Sequence, residues 1–278
     1  MINDDLEVPE LLTFQEIRDQ YVKLGQQNKE KIEDYQQLIQ KLEDIYQNFH
    51  KIRWQHLKGQ KLVENLSAYK DFYALKSIHY FGAHLQLLKT GFIEASYSAL
   101  RSAFEAITKT YLFIVQPELN AIQLEYDFKE DISQEQSRNI EKQMKIKGYL
   151  GNKFISETIY SKENAKKLRE LYKYLCYKTH PNFKGMGNIT QFHSTTFEDS
   201  FMLGLGLAIS TVELLGEIYN QYFTEDIKSQ IKESFSIGQN HLGCYYLLKP
   251  DLIQTNLVFK TFEEFQIYLK TEKTSTKI

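Results

Sequence analysis

Read in sevens from Phe14, the chain places apolar side chains at Phe14, Tyr21, Tyr35, Leu42 and Phe49 in one register. The second register carries Ile17, Leu24, Leu38, Ile45 and Ile52, and only Asn28 and Lys31 interrupt, so ten of the twelve positions are apolar. That spacing predicts helix from about Pro9 to Trp54 with one apolar seam. Asn28 and Lys31 follow Gly25, which leaves two readings: a hinge that splits the segment, or a polar layer that sets register. Aromatic side chains on the seam suit a wide bundle better than a thin two-stranded coil. Pairing of this arm with a second copy is the competing use of the same pattern.

Gly59 ends the first pattern, and a second helix follows from about Lys61 to Lys89, with Leu62, Leu66, Tyr69, Tyr73, Tyr80 and Leu87 expected inward. Gly91 in "KTGF" suits a left-handed helix stop. The next helix spans Ile93 to Val115 and ends ahead of Pro117. Its stripe is Ile93, Tyr97, Leu100, Phe104, Ile107, Tyr111 and Ile114, a regular alternation of fours and threes. Small residues on one flank, Ser96, Ala103 and Thr110, let a neighbouring helix come close. Residues 118–160 are polar and mixed, with one solvated helix expected between Ser133 and Lys147. Ser161 is a suitable N-cap for a further core helix with Ala165, Leu168, Tyr172 and Leu175 inward. A long loop, "PNFKGMGNITQFHSTTF", then leads to a helix over Phe201–Phe223, where Gly204, Gly206 and Gly216 would allow close contact. Thr224–Ser234 reads as a short helix. Cys244–Leu248 and Asn256–Phe259 read as short strands or helix turns, and Thr261 opens a last helix. The fold expected is all-α: an antiparallel helical bundle of about five long helices. Residues 1–60 form a heptad-patterned N-terminal arm, 61–236 the bundle core, and 237–278 a C-terminal extension packing on the bundle.

Composition agrees. Of 278 residues, only 4 are proline and 13 glycine, which favours long uninterrupted helices. The net charge of −2 excludes a whole-protein basic field for nucleic acid but leaves room for a local basic patch. Cys176 and Cys244 sit in apolar company without CxxC spacing and read as buried thiols of a reducing compartment. The acidic start "MINDDLEVPELL" has no signal-peptide pattern. The apolar run from Phe201 is broken by Glu213 and Glu217 before the roughly 20 residues of a membrane span. A cytoplasmic protein with no membrane partner is expected.

Several chemistries fail on spacing. The chain has no GxxxxGK[ST], no GxSxG and no HExxH, and "GMGNIT" and "GLGLAI" lack the third glycine of a dinucleotide fingerprint. None of the seven histidines has a glutamate three residues before it, the pair that di-iron bundles use. His79 and His84 lie about 140° apart around a helix, unsuited to sharing one ion. The lone SxxK of Ser67 and Lys70 in an amphipathic helix reads as coincidence. No metal and no cofactor are expected.

Two places remain. Arg101 and Glu105 are one turn apart beside the apolar stripe, with Glu94, Ser98 and Thr108 on the same flank. The simpler reading is an intrahelical ion pair worth a few tenths of a kcal/mol. The sharper one is an arginine half-buried between helices, held by Glu105 and presented to an anion, since its planar fork grips phosphate with two bonds. The second place is "LYKYLCYKTHPNF". The residue before a proline avoids the helical region, so His180 should end the helix, where the terminal partial charge favours imidazolium. Lys173, Tyr177 and His180 fall close to one helical line. The simpler reading is a capping histidine; the functional one is a general acid or base working near neutral pH under the loop that follows.

A basic residue four to six positions ahead of a histidine, late in a helix of an all-α bundle, resembles the HEPN superfamily. Those are helical proteins of prokaryotic defence and toxin–antitoxin systems, many of them metal-independent RNases acting as dimers. The family motif carries arginine, often with a polar residue after it. Here the six-residue spacing ahead of His180 lands on Lys173, followed by Tyr174, and lysine is a poorer bidentate clamp. The resemblance implies RNA as partner and a homodimer, or a partner protein, engaged through residues 10–54. It implies His180 as proton-transfer group, and Arg101 and Lys173 as charge stabilisers. Glu105, Tyr174 and Tyr177 would stand on the substrate side. The alternative is a helical scaffold that binds a protein through its arm and does no chemistry.

Overall fold

Thr13 starts the first helix by a reciprocal cap. Its hydroxyl accepts from the Glu16 backbone N–H at 3.2 Å, and the Glu16 carboxylate accepts from the Thr13 N–H at 2.7 Å. In this computed structural model the described residues are 12–56, 68–115, 162–179 and 193–219, with isolated positions further on that include 245–246 and 258–259. Helix α1 runs Phe14–Gln27 and α2 runs Lys29–His56. Asn28 separates them. Its backbone N–H and its side-chain amide both go to the Leu24 carbonyl, at 3.1 and 2.9 Å. Of the two readings of the Asn28–Lys31 interruption, the structure selects the hinge. Lys31 then reaches Glu198 at 2.8 Å. The heptad seam faces the chain's own bundle. Tyr35, Leu38, Leu42 and Ile45 are fully buried in one cluster with residues of every later helix, and α2 packs on the next helix and on the last long one. Phe14, at the outer end, is 59% exposed.

Helix α3 (Ala68–Lys89) and helix α4 (Ile93–Val115) form the most extensive helix pair of the bundle, joined by three residues. The turn is a double-bonded stop. Phe92 N–H reaches Leu87 C=O at 2.9 Å and Gly91 N–H reaches Leu88 C=O at 3.2 Å. Gly91 has φ +76°, and a Cβ there would meet the Arg18 carbonyl oxygen of α1 at 2.5 Å. Only glycine supplies both the left-handed backbone and the space.

The α4 stripe is buried from Ile93 to Tyr111 and half-buried at Ile114, and Ser96, Ala103 and Thr110 are fully buried on the flank that meets other helices. In α3 the expected face needs correction. Tyr73, Tyr80 and Leu87 are half-buried edge residues, while Ala74, Ser77, Ile78, Phe81, His84, Leu85 and Leu88 point inward. A one-residue slip turns a helix face by about 100°. Helix α3 is polar on both sides, with Ser77 and His84 inward and Lys76, His79 and Gln86 outward, while Phe72 is exposed, so periodicity selects no single face.

Helix α5 (Lys162–Thr179) packs on α4 and buries Ala165, Leu168, Tyr172 and Leu175 as expected. Helix α6 runs Ser194–Tyr219 and begins seven residues earlier than its apolar run suggests. Thr196 N–H closes the first turn on the His193 carbonyl at 2.9 Å, and Phe197 extends the buried stripe one turn ahead of Phe201. Strands β1 (Tyr245–Tyr246) and β2 (Val258–Phe259) make a minimal antiparallel ribbon, Tyr245 opposite Phe259, with β1 against α6. Both lie within the two stretches read as strand or turn. The expected helices over 133–147 and from Thr261 lie outside the described residues.

A polar chain crosses this apolar interior. Tyr35 Oη of α2 is 3.0 Å from His84 Nδ1 of α3. His84 Nε2 is 3.0 Å from Ser200 Oγ of α6, which is 2.7 Å from Ser96 Oγ of α4. All four side chains are fully buried. Gly204 makes room for them: a Cβ there would lie 2.5 Å from the His84 ring and 2.7 Å from the Tyr35 hydroxyl. Gly206 has nothing within 4 Å, so it is not the close-contact position its sequence suggests.

The two glycines should therefore respond oppositely to alanine. Gly204→Ala displaces buried groups and should lower unfolding free energy by about 1–3 kcal/mol. Gly206→Ala adds helix propensity without a clash and should raise it by up to about 1 kcal/mol. Urea unfolding of the two variants measures both; equal effects would contradict the packing described.

Candidate functional site

Arg101 projects from α4 toward α5 just outside the apolar stripe, because it follows Leu100 by one position, or about 100°. Its guanidinium is fixed on three sides. Nε donates to Glu105 Oε1 at 3.1 Å, Nη2 to Tyr172 Oη at 3.2 Å, and Nη1 to Thr179 Oγ1 at 3.4 Å. Tyr172 in turn donates its hydroxyl hydrogen to Glu105 Oε1 at 3.0 Å, which closes a triangle of arginine, carboxylate and phenol. Thr179 spends its hydrogen on the Cys176 carbonyl at 3.1 Å, so its oxygen can only accept from Arg101. Donor and acceptor roles are consistent around the whole group.

Packing holds the triangle in place. The Tyr172 ring is stacked on Phe104 at 6.1 Å, and Arg101 Cζ lies 5.4 Å from the centre of the same ring. Arg101 and Glu105 side chains are 27% and 30% exposed, so one edge of the pair meets solvent. Burial, the largest single influence on Arg101, works against its charge; Tyr172, Cys176 and Glu105 outweigh it and favour the cation more than usual. Burial, then the Glu105 charge, pushes the Tyr172 phenol well above the ordinary tyrosine range, so it stays a hydrogen-bond donor at all ordinary pH.

Lys173, Tyr174 and Tyr177 share α5 with Tyr172. Lys173 faces outward on α5, its ammonium 2.8 Å from Glu170 with the side chain 51% exposed. Tyr174 donates to Asp199 Oδ2 of α6 at 2.6 Å, and burial together with that carboxylate pushes its phenol up to about 12. Tyr177 is 37% exposed. His180 lies outside the described residues. The described part of α5 ends at Thr179, the residue before it, in contact with Arg101. Cys176 is a half-buried free thiol; Cys244 lies outside the described residues.

Tyr172 and Thr179 are the residues that sequence reading did not assign to the site. Tyr172 reads correctly as a core position, yet a tyrosine in a core stripe carries a hydroxyl that must find a partner. That requirement is the signal that could have drawn it to Arg101. A second cluster was also not anticipated. Lys178 Nζ lies 5.3 and 5.5 Å from the ring centres of Tyr97 and Tyr174, and its charge partly offsets the burial that raises the pKa of Glu94. Among the described residues no three His, Cys, Asp or Glu side chains come together to hold a metal ion, and no helix is long and apolar enough to cross a membrane.

Removing the phenol hydroxyl with Tyr172→Phe leaves Glu105 and Arg101 each short of one bond. It should cost about 1–2 kcal/mol in urea unfolding, a value already reduced for the partial exposure of the pair. In a Glu105→Gln background the same change should cost clearly less, and additive effects would deny the triangle its coupling. Comparison with family models, curated proteins and solved structures finds no match for this chain.

Proposed function

We propose that the protein is a HEPN-like, RNA-directed protein of a prokaryotic defence or stress system, with Arg101 as its phosphate-holding group and His180 as its proton-transfer group. The observation that carries this reading is the 3.4 Å contact between Arg101 and Thr179. It joins α4 to the residue immediately before His180, across 78 positions of sequence. A guanidinium held at three donors is oriented before any ligand arrives, which lowers the ordering cost of gripping a phosphate. In the reaction proposed, His180 takes the 2′-hydroxyl proton as that oxygen attacks the adjacent phosphorus, and an imidazolium returns a proton to the departing 5′-oxygen. Arg101 stabilises the charge on the phosphate oxygens. Lys173, about two turns before His180 and 2.8 Å from Glu170, supplies a second cation, and Tyr177 offers a face for a base. Location in the cytoplasm and work as a dimer belong to the same proposal.

The closed Arg101–Glu105–Tyr172 triangle favours a second reading, in which the group only locks α4 to α5 and the protein is a scaffold. A labelled single-stranded RNA incubated with chelator separates the two. The wild type should cleave it, and His180→Ala should slow cleavage about 10²–10⁴-fold. Equal cleavage by both proteins, or none by either, would remove the nuclease and leave the scaffold.

A further inference from the structure

On α4, Lys109 stands two turns beyond Arg101, about 12 Å along the axis. Its Nζ lies 5.3 Å from the centre of the Tyr73 ring of α3. Tyr73 is stacked on Phe113 at 5.7 Å and 9°, and Phe72 meets it edge-on at 5.4 Å. Phe72 is 51% exposed, and Lys76, one turn on, holds its Nζ 5.5 Å from that ring. Lys76, Phe72, Tyr73 and Lys109 therefore make one patch across the α3–α4 edge, resting on Phe113, which is buried. Among the described residues neither lysine has a carboxylate within ion-pair distance. Glu105, one turn before Lys109, is already held by Arg101 and Tyr172, and Asp71 lies five positions before Lys76.

We infer that this edge is a docking strip for single-stranded RNA, with Phe72 as a stacking platform for a base and Lys76 and Lys109 as contacts to phosphate. The choice of RNA rests on the function proposed above; the choice of a nucleic acid rests on the patch. Burial disfavours the Lys109 charge, Glu105 partly restores it, and Lys76 repels it. An anion between the two ammonium groups relieves that repulsion. An acidic peptide would satisfy the lysines but make no use of an exposed flat ring, whereas a base has a face to stack and a phosphate beside it.

The test is fluorescence anisotropy of a labelled 12-nucleotide single-stranded RNA with the full chain, in a His180→Ala background so that nothing is cut. Phe72→Ala removes a half-exposed ring that also touches Tyr73 and should weaken binding about five-fold or more, with the helical circular dichroism retained at the assay temperature. Lys76→Gln with Lys109→Gln should lower the slope of log affinity against log salt by about 1.4, and the paired arginine variants should restore it. Wild-type affinity and slope in all these variants would overturn the strip. So would no RNA binding by the starting protein, or tighter binding to polyglutamate that ignores Phe72. Strip variants that lose RNA while no protein cleaves it would sink the nuclease and keep the strip. Cleavage that depends on His180 while strip variants bind normally would do the reverse.

Discussion

The bundle depends on one buried, uncharged histidine. His84 sits where α2, α3, α4 and α6 meet, and burial lowers its pKa from 6.5 to about 3 against the opposing influence of Ser200. A neutral imidazole has one donor and one acceptor, and the surroundings decide which nitrogen is which. Ser96 spends its hydrogen on the Ile93 carbonyl at 2.6 Å, so its oxygen accepts from Ser200. Ser200 must then accept from His84 Nε2–H, and Nδ1 must accept from the Tyr35 hydroxyl. The direction of every bond follows from the carbonyl at the end. Because the unfolded chain binds this proton near pH 6.5 and the folded one does not, the residue favours folding above that pH. Its contribution declines as pH falls toward 3.

That chain fixes α4, and α4 carries the candidate site. Ser96 is bonded inward on one flank, and Arg101, five residues on, faces α5 on another. The same helix thus has one polar edge tied into the core and one presented at the surface. The Phe92–Leu87 stop and the glycine at 91 set where α4 begins, so the height of Arg101 along the bundle is set before α5 adds Tyr172 and Thr179. The core explains why the guanidinium is held in one orientation; the partly exposed edge explains why it can meet an anion.

The α4 stripe was legible because a helix half-covered by neighbours alternates apolar and polar residues. The α1–α2 seam was legible for the same reason; Asn28 and Lys31 marked an interruption in it, but the pattern left hinge and polar layer open. Helix α3 was not legible to the residue, because Ser77 and His84 are polar on its buried side and Phe72 is apolar on its exposed one. The start of α6 was hidden by Ser194, Thr195 and Thr196, which read equally well as loop and as helix entry. Arg101 with Glu105 is a local pair and could be found from spacing. Tyr172 and Thr179 join it from 71 and 78 positions away, and His84 meets Ser200 across 116. No spacing rule reaches that far; only packing brings such groups together.

A long-range proton–nitrogen correlation spectrum of the histidine rings, followed from pH 7.5 down to pH 4, tests the His84 chain most directly. The structure requires one imidazole that stays neutral throughout, with its hydrogen on Nε2 and its Nδ1 accepting from Tyr35. A ring that carries its hydrogen on Nδ1, or seven rings that all titrate near 6.5, would contradict it.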